Sequence, residues 1–232
     1  MLTSCASTSN TTNNSRYIVE VDAYGNDSYL SSKKYILGSG DSTVNESNLQ
    51  YVEFSEYIKK ILASKGYTET QDWDNADLMI FFKYGISDPA TFQQTYAVPT
   101  WGQTGVSSTT TKGNVYVNPY GNNIDYNQTT TSNPTYGVTG SRNVTKTYTT
   151  YFRYITLTAY DLNVYKKSDK EKIVWNTILT SSGYSDDLRR VIPYMVVVGN
   201  SYFGKSSGEK NSIGIYEKDE RVNQLKGIPI GQ

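Results

Sequence analysis

The clearest hydrophobic period in the chain lies between residues 47 and 66. Phe54, Ile58, Ile61 and Leu62 recur at i, i+4, i+7 and i+8, which lines one face of an α-helix. Ser47 and Gln50 form an S-x-x-Q capping box at its start. Glu53 and Glu56 precede Lys59, Lys60 and Lys65, as the helix dipole favours, and Gly66 is placed to end the helix in a left-handed turn. Elsewhere the period is two. Tyr17, Val19 and Val21 share one face of a strand that runs into the turn signal Gly25-Asn26. Lys34–Leu37 is a second short strand, closed by Gly38-Ser39-Gly40. Leu78–Phe82 is apolar without a break, which predicts a strand covered on both faces. Tyr151–Val164 alternates over a long strand with Ile155, Leu157 and Ala159 on one face. Lys166–Lys170 reads as a charged turn and Lys172–Leu179 as the antiparallel return. Ser185 is placed to cap a second helix, with Asp186 and Asp187 in its first turn and Leu188, Val191, Ile192, Met195 and Val196 on its apolar face. Pro193 is expected to kink or restart that helix. Ser212–Tyr216 is a last strand before a charged tail.

These elements predict an α+β fold: a single antiparallel or mixed sheet, with helices near 47–65 and 185–200 packed on one face. The expected organisation is a leader remnant and tether at 1–16, an α+β domain at 17–216 and a tail at 217–232. Residues 88–150 stand apart as a Tyr/Thr/Gly-rich β and loop insertion with few aliphatic side chains. Val115-Tyr116-Val117, ahead of Asn118-Pro119-Tyr120-Gly121, reads as a hairpin arm within it. An echo links TYAVPTWGQTG with TYGVTG, short of a repeat architecture. Part of the insertion is expected to be loosely ordered, because so few apolar side chains do not offset the entropy of fixing the backbone.

Composition changes the picture in two ways. Lys+Arg and Asp+Glu are both 22, so no long-range field recruits nucleic acid or anionic lipid. No run of ~18 apolar residues predicts a transmembrane helix. The one cysteine of the chain, Cys5, follows Leu2-Thr3-Ser4, and the four residues resemble the lipobox of bacterial lipoproteins. That resemblance implies lipidation at Cys5, with the basic and apolar regions of a secretory signal expected upstream of Met1. Ala6–Ser15 (ASTSNTTNNS) reads as a polar tether behind the anchor. Ala6-Ser7 after the Cys, with no Asp, resembles the outer-membrane sorting pattern of Gram-negative lipoproteins and implies an envelope location.

The order of elements, with Lys65-Gly66-Tyr67, Ala76-Asp77-Leu78 and Ile173-Val174-Trp175 as its markers, resembles a domain of unknown function found in bacterial envelope lipoproteins. It is more distantly similar to the small α/β domains of outer-membrane assembly lipoproteins such as the curli secretion channel. The likeness covers residues 17–87 and 151–216, and that family has no catalytic residues to carry over.

Candidate chemistry is sparse. The chain has no His, which excludes Ser-His and Cys-His nucleophilic arrangements and His-based metal centres. Asp72, Asp74 and Asp77 cluster, but the EF-hand glycine is missing and the twelfth position from Asp72 is Lys83. Asx-turn chemistry ahead of a strand accounts for them better. No phosphate-binding loop or cofactor motif is present, so neither catalysis nor a cofactor or metal site is expected. The reading is a membrane-anchored binding or scaffolding module that meets an envelope protein partner through 88–150. Alternatives are a carbohydrate or cell-wall binder using Trp73, Trp101 or Trp175 as stacking platforms, with Trp175 reading better as core, or a subunit of a ring-forming outer-membrane pore. Against the pore, Asn114–Asn118 reads as too short and too polar for a membrane-crossing strand.

Overall fold

The computed structural model describes residues 16–25, 34–117 and 124–228. Cys5 and the tether, the turn at Asn26 and the segment Asn118–Gly121 lie outside them. Eight strands run in chain order: β1 (Arg16–Gly25), β2 (Lys34–Ser39), β3 (Thr68–Glu69), β4 (Leu78–Ile86), β5 (Ala90–Val117), β6 (Ile124–Asp161), β7 (Ile173–Gly183) and β8 (Asn211–Tyr216). Four helices join them: α1 (Leu49–Ser64), α2 (Leu162–Ser168), α3 (Leu188–Gly199) and α4 (Glu220–Lys226). The chain divides into two units, one of Thr91–Tyr148 and one of the residues on either side of it.

The helix with the strongest period forms as its pattern demands. Phe54, Ile58, Ile61 and Leu62 of α1 are all buried, joined by Tyr51 and Tyr57. Its cap differs from expectation. Asn48, not Ser47, accepts from the amides of Gln50 at 2.9 Å and Tyr51 at 3.4 Å, while the Ser47 hydroxyl donates to Asn45 Oδ1. The Asn side chain beside the helix reaches two orphan amides from one residue. At the far end Gly66 takes φ +85°, the Tyr67 amide donates to Leu62 O and the Gly66 amide to Ala63 O. This is the Schellman pattern, which answers two terminal carbonyls.

The fold mixes α and β around one large sheet, ordered β3-β2-β4-β6-β7-β1-β8 with β5 attached to β6. Strand β2 is parallel to β3 and β4, and the other pairs with described register are antiparallel. The parallel pair β2·β4 is closed by a crossover through α1, as parallel neighbours require. β1 and β2 follow one another in sequence but do not pair; β4, β6 and β7 lie between them. One face is buried throughout: Val19, Val21 and Ala23 from β1, Leu78, Ile80 and Phe82 from β4, Ile155, Leu157 and Ala159 from β6. Met79 and Phe81, on the other face of β4, are only half-buried, so the apolar run of β4 is covered fully on one side and partly on the other.

The expectation of two helices is corrected to four α-helices among the described residues. Lys166–Lys170, expected as a turn, lies partly in α2, which is capped by Asp161 and closed by Asp169 in the left-handed region at φ 53°. The long strand therefore stops at Asp161 rather than Val164. The segment 217–232, expected as a tail, contains α4, whose Val222 and Leu225 are buried. The cap of α3 is Asp187, whose Oδ1 accepts from the Arg190 amide, and Ser185 instead accepts from the Asp187 amide. α3 runs without interruption through Pro193. Every residue from Val191 to Gly199 is buried, so packing on all sides holds the helix across the amide that Pro193 lacks.

The buried Arg153 of β6 had no counterpart in the expected core. Its guanidinium donates to Ser181 O at 3.3 Å and Ser185 O at 3.1 Å, and burial pushes its pKa down. A Cβ on Gly183 would lie 2.7 Å from Arg153 Nη2, so the glycine leaves room for the side chain.

Phe54→Ala is expected to lower the free energy of unfolding by about 3–5 kcal/mol, and Leu49→Ala, at an exposed position of the same helix, by less than about 0.5 kcal/mol. Urea titration followed by circular dichroism measures both.

Candidate functional site

Residues 91–148 form a two-stranded ribbon from β5 and the first part of β6. Threonines pair across it: Thr95 and Thr145 hydroxyls meet at 2.8 Å and Thr111 and Thr130 at 3.3 Å. Phe92 stacks on Tyr148 with ring centroids 5.3 Å apart, and Lys146 Nζ lies 5.7 Å from the centre of Tyr96. A hydrogen bond to Tyr96 holds the Lys146 ammonium above its ordinary pKa. Among the described residues of the ribbon none is buried, and none belongs to the hydrophobic core. Residues 91–117 and 124–148 are paired strand, and residues 118–123 of the segment expected to be partly loosely ordered lie outside the described residues. The expectation that Asn114–Asn118 is too short to cross a membrane is also overturned, since Asn114–Val117 ends a strand of 28 residues.

The weak sequence echo acquires a geometry. Pro99–Gly105 (PTWGQTG) and Pro134–Gly140 (PTYGVTG) agree at five of seven positions, and the ribbon sets them against each other. A Cβ on Gly102 would lie 3.0 Å from the Thr139 side chain, and one on Gly137 would lie 3.1 Å from Thr104. Gly105 faces Thr135 and Gly140 faces Thr100 in the same way, at 3.4 and 3.3 Å. Thr104 Oγ1 donates to Thr135 O and Thr139 Oγ1 to Thr100 O, both at 3.3 Å. Every one of these contacts maps onto its counterpart when the two heptapeptides are exchanged. The aromatic position behaves alike, with Trp101 72% and Tyr136 71% exposed. A local two-fold axis through an antiparallel pair stands perpendicular to its face, so it keeps each face on itself and puts both rings on the same side.

In the other unit an aromatic groove of about 260 Å³ is lined by Trp73, Met79, Phe81, Tyr160 and Tyr165. Ligand pockets commonly hold about 300–1,000 Å³, so this groove falls below that range. Its rings already pack on one another, Phe81 edge-on to Tyr160 at 5.7 Å and Trp73 edge-on to Tyr165 at 6.3 Å. Lys166 Nζ covers Trp73 at 5.8 Å and donates to Asp74 O and Ala76 O.

The three candidate acids are engaged locally. Asp72 Oδ1 accepts from the Asp74 amide at 3.0 Å, an Asx turn, and Asn75 further lowers the Asp72 pKa by hydrogen bonding. Asp77 accepts from the Lys34 amide and from Asn163. Among the described residues no three acidic, Cys or His side chains converge on a metal-sized site. Trp175 is 3% exposed and belongs to the core, while Trp73 is 45% exposed. Sequence reasoning missed the two-fold arrangement because it compared TYAVPTWGQTG with TYGVTG; starting both segments at their Pro-Thr pairs displays it.

No protein-family model and no curated protein matches the chain. A solved structure similar to it is a PDZ domain protein from Parabacteroides distasonis ATCC 8503, a crystal structure at 2.50 Å resolution. The TM-score is 0.40, with 11% sequence identity over 87% of this chain. The chain spans 39% of that protein's length. At that score the likeness transfers neither fold nor function.

Single-tryptophan variants, with the other two replaced by Phe, report these environments directly. Acrylamide is expected to quench Trp101 most steeply, Trp73 less and Trp175 least.

Proposed function

We propose that this chain is a lipid-anchored protein of the bacterial outer membrane, attached through Cys5, that acts as a binding or scaffolding module without catalysis. Its contact surface for an envelope protein partner is the ribbon 91–148. The observation that carries the reading is the ribbon's backbone. An isolated two-stranded hairpin is at best marginally stable in water, and unpaired strand edges are templates for pairing with another chain. Exposed Tyr side chains along it supply contact area at low entropic cost. The lipobox resemblance at Leu2–Cys5 supports the anchor; no helix among the described residues is long and apolar enough to cross a membrane. The absence of His from the chain supports a non-catalytic role.

One observation favours a second reading, the ring-forming pore. β5 and the ribbon part of β6 far exceed the ~9–11 residues that a membrane-crossing strand requires. Polarity opposes it. Ser107–Gly113 carries no apolar side chain, and neither does Asn127–Ser132, whereas a lipid-facing band is continuous. For the carbohydrate alternative, Trp101 offers the most accessible indole of the three, and the Trp73 groove, at about 260 Å³, offers little room.

Two experiments test the proposal. Full-length protein made with its native signal is expected to incorporate labelled palmitate, and Cys5→Ala to abolish incorporation; labelling that persists in the variant rules out the anchor. Replacing residues 90–146 with a short Gly/Ser linker is expected to leave a cooperatively folded domain that no longer retains its partner in pull-downs from native membranes. Loop-closure entropy permits this, at roughly 0.6 kcal/mol per doubling of length, and the core contains no residue of the replaced segment. Detergent-solubilised rings with ion conductance that vanish on the same replacement establish the pore instead.

A further inference from the structure

The two-fold repeat of the ribbon has a consequence for what meets its edges. Exchange of PTWGQTG and PTYGVTG exchanges the two strands, so the outer edge of β5 at 99–105 and the outer edge of β6 at 134–140 carry equivalent residues in equivalent geometry. Each strand already pairs, on its inner side, with a copy of the pattern that its outer side presents. Gly102 and Gly137 sit where a Cβ would press on the Thr of the facing strand. A glycine has no side chain to block a second Thr arriving from the outer side. A β5 edge therefore fits a β6 edge from another molecule by the contacts that join β5 to β6 within one.

We propose that the partner of the ribbon is a second copy of this chain, with β5 of one copy pairing antiparallel to β6 of the next, heptapeptide against heptapeptide. The proposal rests on the reading of the ribbon as the contact surface and names its occupant. Extent supports it. An edge of the ribbon about 25 residues long runs on the order of 80 Å at ~3.3 Å per residue. With a thickness of about 10 Å, it offers on the order of 800 Å² to a partner, the size of one side of a standard stable interface. Charge does not oppose it along the repeats, since neither heptapeptide contains a charged residue. The exposed Trp101 and Tyr136 rings on one face flank the line of pairing. Edge strands that avoid such contacts carry charged side chains, especially Lys, or bulges or proline; here the ribbon's basic residues, Lys112, Arg142 and Lys146, lie outside the heptapeptides, and Pro99 and Pro134 stand at their first positions.

The pairing sets Thr95 of one copy opposite Thr145 of the next, as these residues meet within one ribbon. In the full chain with Cys5→Ser, Thr95→Cys and Thr145→Cys are made as separate proteins, mixed in equal amounts and oxidised. The mixture is expected to give a several-fold excess of disulfide-linked dimer over either protein alone. Sedimentation of the unmodified full chain is expected to show association that the 90–146 linker replacement abolishes. Cross-linking of Thr95→Cys alone as efficient as the mixture overturns the β5-to-β6 pairing. A chain that sediments as a monomer and gives no excess cross-link overturns self-pairing. If that monomer still needs its ribbon to retain another envelope protein, the contact-surface reading survives the loss of this proposal; if the replacement changes no association, both fall.

Discussion

An extended backbone must have its N–H and C=O groups answered, and this requirement organises the whole chain. β6 meets it most fully, paired along one side with β4 and along the other with β7 from Arg153 to Tyr160. Those two ladders fix which face of each strand points inward, because a slip of one residue would turn every side chain over. Leu157 therefore stands inward beside Phe82 and Thr177, while Thr158 and Asn176 bond to each other on the opposite face. The helices follow from that choice. α1 and α3 supply Phe54, Ile58, Val191 and Met195 to the same core that the strands line.

The same requirement is what makes residues 91–148 distinctive. Within the ribbon each strand has one partner, and the hydroxyl ladder of threonines ties the two together from side to side. A ribbon of this kind keeps its outer backbone groups for water or for another strand. The aliphatic side chains that stabilise the rest of the protein by burial are nearly absent, so pairing rather than a core holds the ribbon.

Much of the sheet-and-helix unit was legible in sequence because its signals are local. The stripe Phe54-Ile58-Ile61-Leu62 and the terminal Gly66 need only the period of a helix and the freedom of glycine at positive φ. The alternation of Tyr151–Asp161 and its return through Ile173–Leu179 need only the period of a strand and a short connection. Caps were less legible: Ser47 and Asn48, or Ser185 and Asp187, are all good capping residues, and only the final backbone direction selects which side chain reaches the amides. α2 and α4 were missed because seven residues carry too little period to be told from a charged turn.

Sequence by itself determined the elements with strong periods, the burial of Trp175 and the separation of a Thr- and Tyr-rich segment from the aliphatic core, because each depends on residue type and near neighbours. Tertiary structure alone decided that β1 and β2 lie apart with β4, β6 and β7 between them, that Arg153 is buried against Ser181, and that two heptapeptides distant in sequence face each other. Those outcomes depend on strand order and register, which are set by the pairing of residues far apart along the chain, and no local pattern encodes them.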